Sequence, residues 1–316
     1  MTASRSRGLA GAAVVGVAAV VVVALASWSH HRAARPVVLA PAARPQRVPP
    51  SAGGARPAAA TPGAPPAATQ PTTRARELDE PPAACPGGML LVEGTWCPYV
   101  GHRCVKWLSE KADRCERYAP PPICEGRLQL RRFCIDRYEY PNLAGVLPAV
   151  MVSWEDAAAA CRAEHKRLCT ASEWTFACEG TERLPYPYGY TRDSSACNID
   201  RRYRLPDLAA FDEPRKVAAE LARIDQRVPS GSMARCVSPF GVHDMTGNVD
   251  EWVVNESRDP VVSGLKGGYF GPVRARCRPM TVDHNQWFRF YQVGFRCCAA
   301  AAPAEKGDAV PSRTTR

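Results

Sequence analysis

The string Asp244-Met245-Thr246-Gly247-Asn248-Val249-Asp250-Glu251-Trp252 sets four oxygen-bearing side chains, Asp244, Asn248, Asp250 and Glu251, within eight residues. Hard divalent cations, calcium above all, take that mixture of carboxylate, amide and backbone carbonyl oxygens. Gly247 lets the backbone bend, and Trp252 supplies a large apolar anchor. The same string also serves as a polar turn capped by a buried tryptophan, and a short motif alone does not separate the two readings. A second reactive set is the fourteen cysteines, all lying between Cys85 and Cys298. An even count in an exported chain argues for disulfides, whereas in the cytosol it would argue for metal or redox work.

Export is therefore the question that decides how the cysteines read. Arg5 and Arg7 precede residues 8–26, nineteen uncharged residues built from Ala, Val, Leu and Gly. That run is long enough to cross a bilayer, and the arginines ahead of it fit a cytoplasmic N-terminus. Ala24-Leu25-Ala26 also has the small-x-small form of a cleavage site. Residues 1–27 are thus expected to be a signal anchor or a signal peptide, and either puts the remainder outside the cytoplasm. Residues 28–83 are rich in Ala and Pro, with ten of the 30 prolines between Pro36 and Pro71. Too little apolar surface is present there to offset ordering entropy, so a disordered, semi-extended linker is expected. Residues 1–80 hold nine arginines against three acidic residues, so more than half of the formal charge of +10 lies there. A nucleic-acid-binding domain carries its basic excess on the folded part, and this chain does not.

Folded structure is expected over 84–299, with a cysteine-rich segment at 85–134 and a disordered tail at 300–316. Six cysteines between Cys85 and Cys134 allow fifteen pairings, which stay open, and no C-x2-C pair suggests a zinc ribbon. Ser153 with Asp156, and Thr170 with Glu173, have capping-box spacing and predict two short helices, the second stopped at Gly180. A charged helix is expected over 216–226. Tyr186-Pro187-Tyr188-Gly189 reads as a turn with packed rings. Short apolar runs broken by Gly and Pro then indicate a mixed α+β fold with much irregular structure.

The order of these motifs resembles the formylglycine-generating enzyme family, also called the sulfatase-modifying factor family. The residues that carry the resemblance are Pro86-Gly87-Gly88-Met89, Val152-Ser153-Trp154-Glu155-Asp156-Ala157, Lys166-Arg167-Leu168 through Glu173-Trp174, Tyr186-Pro187-Tyr188-Gly189, Pro239-Phe240-Gly241 with 244–252, Gly267-Gly268 and Gly294-Phe295-Arg296. The resemblance implies a single mixed domain akin to C-type lectins, disulfide-rich, with structural calcium. It assigns one calcium site to Asp244 and Glu251 through side chains and to Gly247 and Val249 through carbonyls. A second would begin at Asn198 and Ile199. It also implies disulfides Cys161–Cys297 and Cys178–Cys277. Asp250 stands where the family usually has tryptophan.

Active members of that family resemble one another in two cysteines, five apart, shortly after Gly-Gly, which hold Cu(I). Thiolates are the ligands Cu(I) selects. Counted from Gly267-Gly268 the two positions are Pro272 and Cys277; anchored on Arg274 and Arg278, Cys277 is instead the structural half-cystine. Either way the first thiolate is missing, so the copper site is not expected. Cys277, His284 and Arg289 fall where the family's pocket wall would be and are the catalytic candidates. The expectation is an extracytoplasmic domain, membrane-anchored through its N-terminal segment, that binds a protein, peptide or metabolite ligand without copper chemistry and without nucleic acid. The alternative is an extracytoplasmic tailoring enzyme or oxidase of the same family acting on a secreted peptide or metabolite.

Overall fold

The protein is seen in a computed structural model that describes residues 84–303. The expected membrane segment at 8–26, the linker at 28–83 and tail residues 304–316 lie outside the described residues. Among the described residues no helix is long and apolar enough to cross a membrane.

Strand β1 (Met89–Trp96) is followed by four short strands, β2 (Val100–Gly101), β3 (Cys104–Ser109), β4 (Arg114–Tyr118) and β5 (Ile123–Cys124). Strand β6 (Gln129–Asp136) then returns antiparallel to β1, with Met89 opposite Asp136 and Trp96 opposite Gln129. The cysteine-rich segment is thus looped out of one long hairpin. Most of its large apolar residues, Tyr99, Val105, Trp107, Leu108 and Ile123, stay exposed, so it has little core of its own. Cross-links supply what burial cannot at that size. Cys97–Cys124 and Cys104–Cys115 close it internally, and Cys85–Cys134 ties its start to β6.

Helices α1 (Trp154–Ala163) and α2 (Ala171–Glu179) flank β7 (Arg167–Leu168). Both begin at capping boxes. The Ser153 hydroxyl accepts from the Asp156 N–H while the Asp156 carboxylate accepts from the Ser153 N–H, and Thr170 with Glu173 repeats the exchange. Helix α2 stops at Gly180, whose φ of +66° suits glycine and whose added Cβ would lie 2.7 Å from Pro239 Cγ. After α3 (Leu208–Phe211), the charged helix is α4 (Pro214–Ile224). It starts two residues earlier than the 216–226 expected, because Pro214 occupies the first turn, where its missing N–H leaves nothing unpaired.

Strands β8 (Asp250–Val254), β9 (Ser263–Lys266), β10 (Met280–Thr281) and β11 (Val293–Phe295) make a second sheet in the order β10-β9-β8-β11, with β11 parallel to β8. Strand β12 (Cys297–Ala299) belongs to the first sheet, between β6 and β7. Arg296 alone separates β11 from β12, so the chain changes sheets within one residue. One core cluster packs Val92, Phe133, Ile135, Trp174, Phe176, Met245 and Val253; a second packs Val152, Ala157, Leu168, Trp252, Leu265 and Phe295. Cys161–Cys297, Cys169–Cys298, Cys178–Cys277 and Cys197–Cys236 complete seven disulfides, which account for all fourteen cysteines. The fold is α+β, disulfide-rich and sparse in regular structure.

Replacing Thr170 by Ala removes the cap of α2 and leaves the Glu173 N–H without its partner. The expected loss is about 1 kcal/mol, read from the midpoint of urea unfolding at unchanged m-value.

Candidate functional site

Strand β9 delivers Lys266 into the interior and then turns sharply at Gly267 and Gly268, whose φ values are +88° and +72°. A Cβ on Gly268 would sit 2.9 Å from the Ala275 Cα, so the following loop can press against this turn only because no side chain intervenes. The loop and the turn enclose a cavity of about 320 Å³ lined by Asp250, Leu265, Gly267, Gly268, Pro272, Val273, Arg274, Arg276, Pro279 and Thr281. Ala112, in the turn between β3 and β4, adds a wall from the cysteine-rich segment.

Its charged groups are held apart. Arg276 donates to Asp113 Oδ2 at 2.7 Å and to the Tyr118 hydroxyl, which fastens the β3–β4 hairpin beside the cavity, while its Nε is buried without a partner. Both hydrogen bonds of Arg274, to the Met280 carbonyl at 3.1 Å and Thr281 Oγ1 at 3.0 Å, go to neutral oxygens. Burial pushes the Asp250 carboxyl up to about 7, against the opposing pull of the Gly268 N–H and the Arg274 charge. Behind the cavity Lys266 is 2 % exposed, donates to the Arg278 carbonyl at 2.8 Å and lies 5.3 Å from the Trp174 ring centre. Burial pushes its ammonium down to about 7; Glu179 opposes that shift, and Arg278, Arg274 and Arg276 add to it. Arg278 is itself clamped by the buried Glu179 at 2.6 and 2.7 Å.

Pro272 lines the cavity, whereas Cys277 is fully buried and bonded to Cys178. Cys277 therefore offers no thiolate, which corrects its candidacy as a nucleophile and fixes its place as a half-cystine. His284 stacks on Phe288 at 3.7 Å, and Arg289 pairs with Asp156 at 3.2 Å beside α1. Neither lines the cavity beside Gly267-Gly268. Asp250 and Arg274 do line it, and the sequence signal for Asp250 was its departure from the usual tryptophan.

The carried-over calcium ligands divide. Gly247 has φ +82°, and a Cβ there would meet the Asn198 carbonyl at 2.3 Å, so this turn lies directly on 197–199. Glu251 Oε2 accepts from Arg296 Nε at 2.7 Å and from the Trp174 Nε1–H at 2.8 Å, and Oε1 accepts from Arg296 Nη2 at 2.6 Å. Asn198 Oδ1 accepts from Arg201 Nε at 2.7 Å, and the Ile199 side chain packs with Cys197, Cys236 and Ala275. Asp244 is different: Oδ2 accepts from the Gly231 N–H, but Oδ1 is buried with no donor. Glu139 Oε1, also buried, has no donor, while its Oε2 accepts from Ser230 and Asn248. Asp244 and Glu251 both push the Glu139 carboxyl upward in addition to its burial. Two buried carboxylate oxygens without donors fit a hard cation at Asp244 and Glu139. Of the carried-over set, Glu251 is shared with Arg296 and Trp174. Among the described residues no cluster of three or more His, Cys, Asp or Glu side chains is placed to hold a metal.

Residues 127–301 match the Sulfatase-modifying factor enzyme 1-like domain, more than half of the chain. The chain belongs to the sulfatase-modifying factor family. Similarity extends to the "Inactive C-alpha-formylglycine-generating enzyme 2" of Bos taurus, at 28 % identity over 163 residues, 49 % of this chain and 50 % of that protein. The chain thus spans about half the length of this curated relative. Among solved structures, CarF is 18 % identical with a TM-score of 0.44 over 67 % of this chain and 97 % of its own. PvdO from Pseudomonas aeruginosa is 16 % identical with a TM-score of 0.43 over 67 % and 94 %. The match to the sulfatase-modifying factor family starts after the looped-out hairpin, so the β3–β4 wall of the cavity lies outside the matched residues.

The buried Lys266 gives a pH signature. Its folded value lies below its free value, so between about 7 and 10 the unfolded chain binds the extra proton and stability rises with pH. Lys266→Met removes that dependence. Its stability relative to the parent is expected to be highest at pH 6 and to fall toward pH 10 by up to about 1.4 kcal/mol per pH unit, read from urea midpoints across the range.

Proposed function

We propose that this chain is an extracytoplasmic member of the sulfatase-modifying factor family that binds a small ligand or peptide in the cavity beside Gly267-Gly268 without copper-dithiol oxidation. One observation carries the reading: every cysteine is in a disulfide, and the first copper position is Pro272. Cu(I) is held by thiolates, and a cystine sulfur is not one. The number of disulfides supports an oxidising compartment. Residues 8–26 are proposed to tether the domain to the membrane or to direct its secretion.

The decisive experiment quantifies thiols in the denatured, unreduced protein and measures Cu(I) uptake against a competing chelator. The expected result is fewer than one thiol per chain, no stoichiometric copper, and no aldehyde formed from a Cys-x-Pro-x-Arg peptide. Two thiols with one tightly bound copper, or aldehyde formation, would replace this reading by an oxidase.

Calcium is proposed as the cation that the free oxygens of Asp244 and Glu139 would take. Millimolar calcium is expected to raise the melting temperature of the parent by a few degrees, magnesium by less, and neither to act on Asp244→Ala. Equal melting curves with calcium and with chelator in the parent would remove the proposal.

A further inference from the structure

The cavity beside Gly267-Gly268 is lined by a basic and an acidic side chain that form no ion pair with each other among the described residues. Arg274 lines one part of the wall, and its only hydrogen bonds, to the Met280 carbonyl and Thr281 Oγ1, both use Nη2. Among the described residues its Nη1 and Nε have no hydrogen-bond acceptor. Asp250 lines the same cavity and makes no ion pair among the described residues, although Arg274 lies near enough to stabilise its charge. A guanidinium and a carboxyl that line one cavity without an ion pair between them leave room for a ligand that meets both. Leu265, Pro272, Val273 and Pro279 make the remaining wall apolar. A volume of about 320 Å³ is at the small end of ligand sites and holds roughly ten waters.

We infer that this cavity binds a free α-amino acid with an apolar side chain, its carboxylate on Arg274, its ammonium on Asp250 and its side chain against Leu265, Pro272, Val273 and Pro279. A planar guanidinium recognises carboxylate through paired N–H donors, and Asp250 accepts from the ammonium. Each charged end then finds its counterpart away from bulk water, where leaving a site group unpaired is costly. Arg276, already held by Asp113 and Tyr118, fixes the β3–β4 wall and is a positioning residue. The inference rests on the proposed ligand-binding role and specifies the ligand of the same site.

The test is calorimetric titration of the full-length chain, disulfides intact, with three probes of one shape: L-leucine, 4-methylpentanoate, which lacks the ammonium, and isoamylamine, which lacks the carboxylate. L-leucine is expected to bind at least tenfold tighter than either analogue. In Arg274→Gln, which keeps the Thr281 contact within reach, L-leucine is expected to fall to the level of isoamylamine. In Asp250→Asn it is expected to fall to the level of 4-methylpentanoate. Near-ultraviolet circular dichroism confirms that each variant is folded. Equal binding of all three probes, no binding of L-leucine, or an Arg274→Gln variant with parental affinity would overturn the inference. Inorganic phosphate is the fourth probe: binding that depends on Arg274 while L-leucine fails would overturn the amino-acid assignment yet keep the ligand-binding role. A positive thiol and copper assay would instead remove that role itself.

Discussion

A carboxylate and a guanidinium, both closed off from water, tie the two sheets together. Glu251 on β8 and Arg296 between β11 and β12 bond at 2.6 and 2.7 Å, with exposures of 1 % and 0 %. The Trp174 indole of α2 completes the carboxylate, and the carbonyl of His243 accepts from Arg296 at 3.0 Å. Replacing both partners with apolar groups could be neutral, but removing one leaves a bare buried charge, which costs about 3–5 kcal/mol. The pair therefore specifies an arrangement more than it adds stability. Arg296 must stand where the chain leaves one sheet for the other, and α2 must present Trp174 to Glu251. The Gly267-Gly268 turn follows β9, which is paired to β8 with Lys266 opposite Glu251. The cavity inherits its position from that register.

The same ion pair bears on the calcium set that the family resemblance implies. Where a cation would share Glu251, an arginine already supplies the positive charge. Asp244 and Glu139 each keep one buried oxygen without a donor among the described residues, a pairing not recognisable from their spacing. Asp244 belongs to the acidic string, but Glu139 lies over a hundred residues away in an unremarked Tyr138-Glu139-Tyr140 and reaches the string only through Ser230, Gly231 and Asn248.

What the sequence made legible was local. The capping boxes of α1 and α2 are exchanges between residues three apart, and the structure forms both. The glycine stop of α2 was equally readable, since it is a backbone requirement of one residue. The family resemblance fixed the fold, because a set of motifs in order encodes topology. Illegible were the contacts made across long separations. Arg276 reaches Asp113 over 163 residues, and nothing about either residue in isolation announces it. The contacts of His284 and Arg289 were hidden for the same reason: alignment with a family places a residue in sequence, while the pairing of Arg289 with Asp156 on α1 is made across more than a hundred residues.

The two adjacent cysteines of β12 bond to partners on either side of β7, Cys297 to Cys161 and Cys298 to Cys169, closing spans of 136 and 129 residues. By contrast Cys104 meets Cys115 after only 11. As the polypeptide is synthesised, the small hairpin can lock early, while Cys161, Cys169 and Cys178 must wait, reduced or mispaired, until nearly the whole domain has emerged. Maturation is thus gated by the last strand to appear. A chain shortened by even a few residues before Ala299 would lose a central strand of one sheet together with both of its longest staples, leaving an immature protein with orphan thiols where the complete one has none.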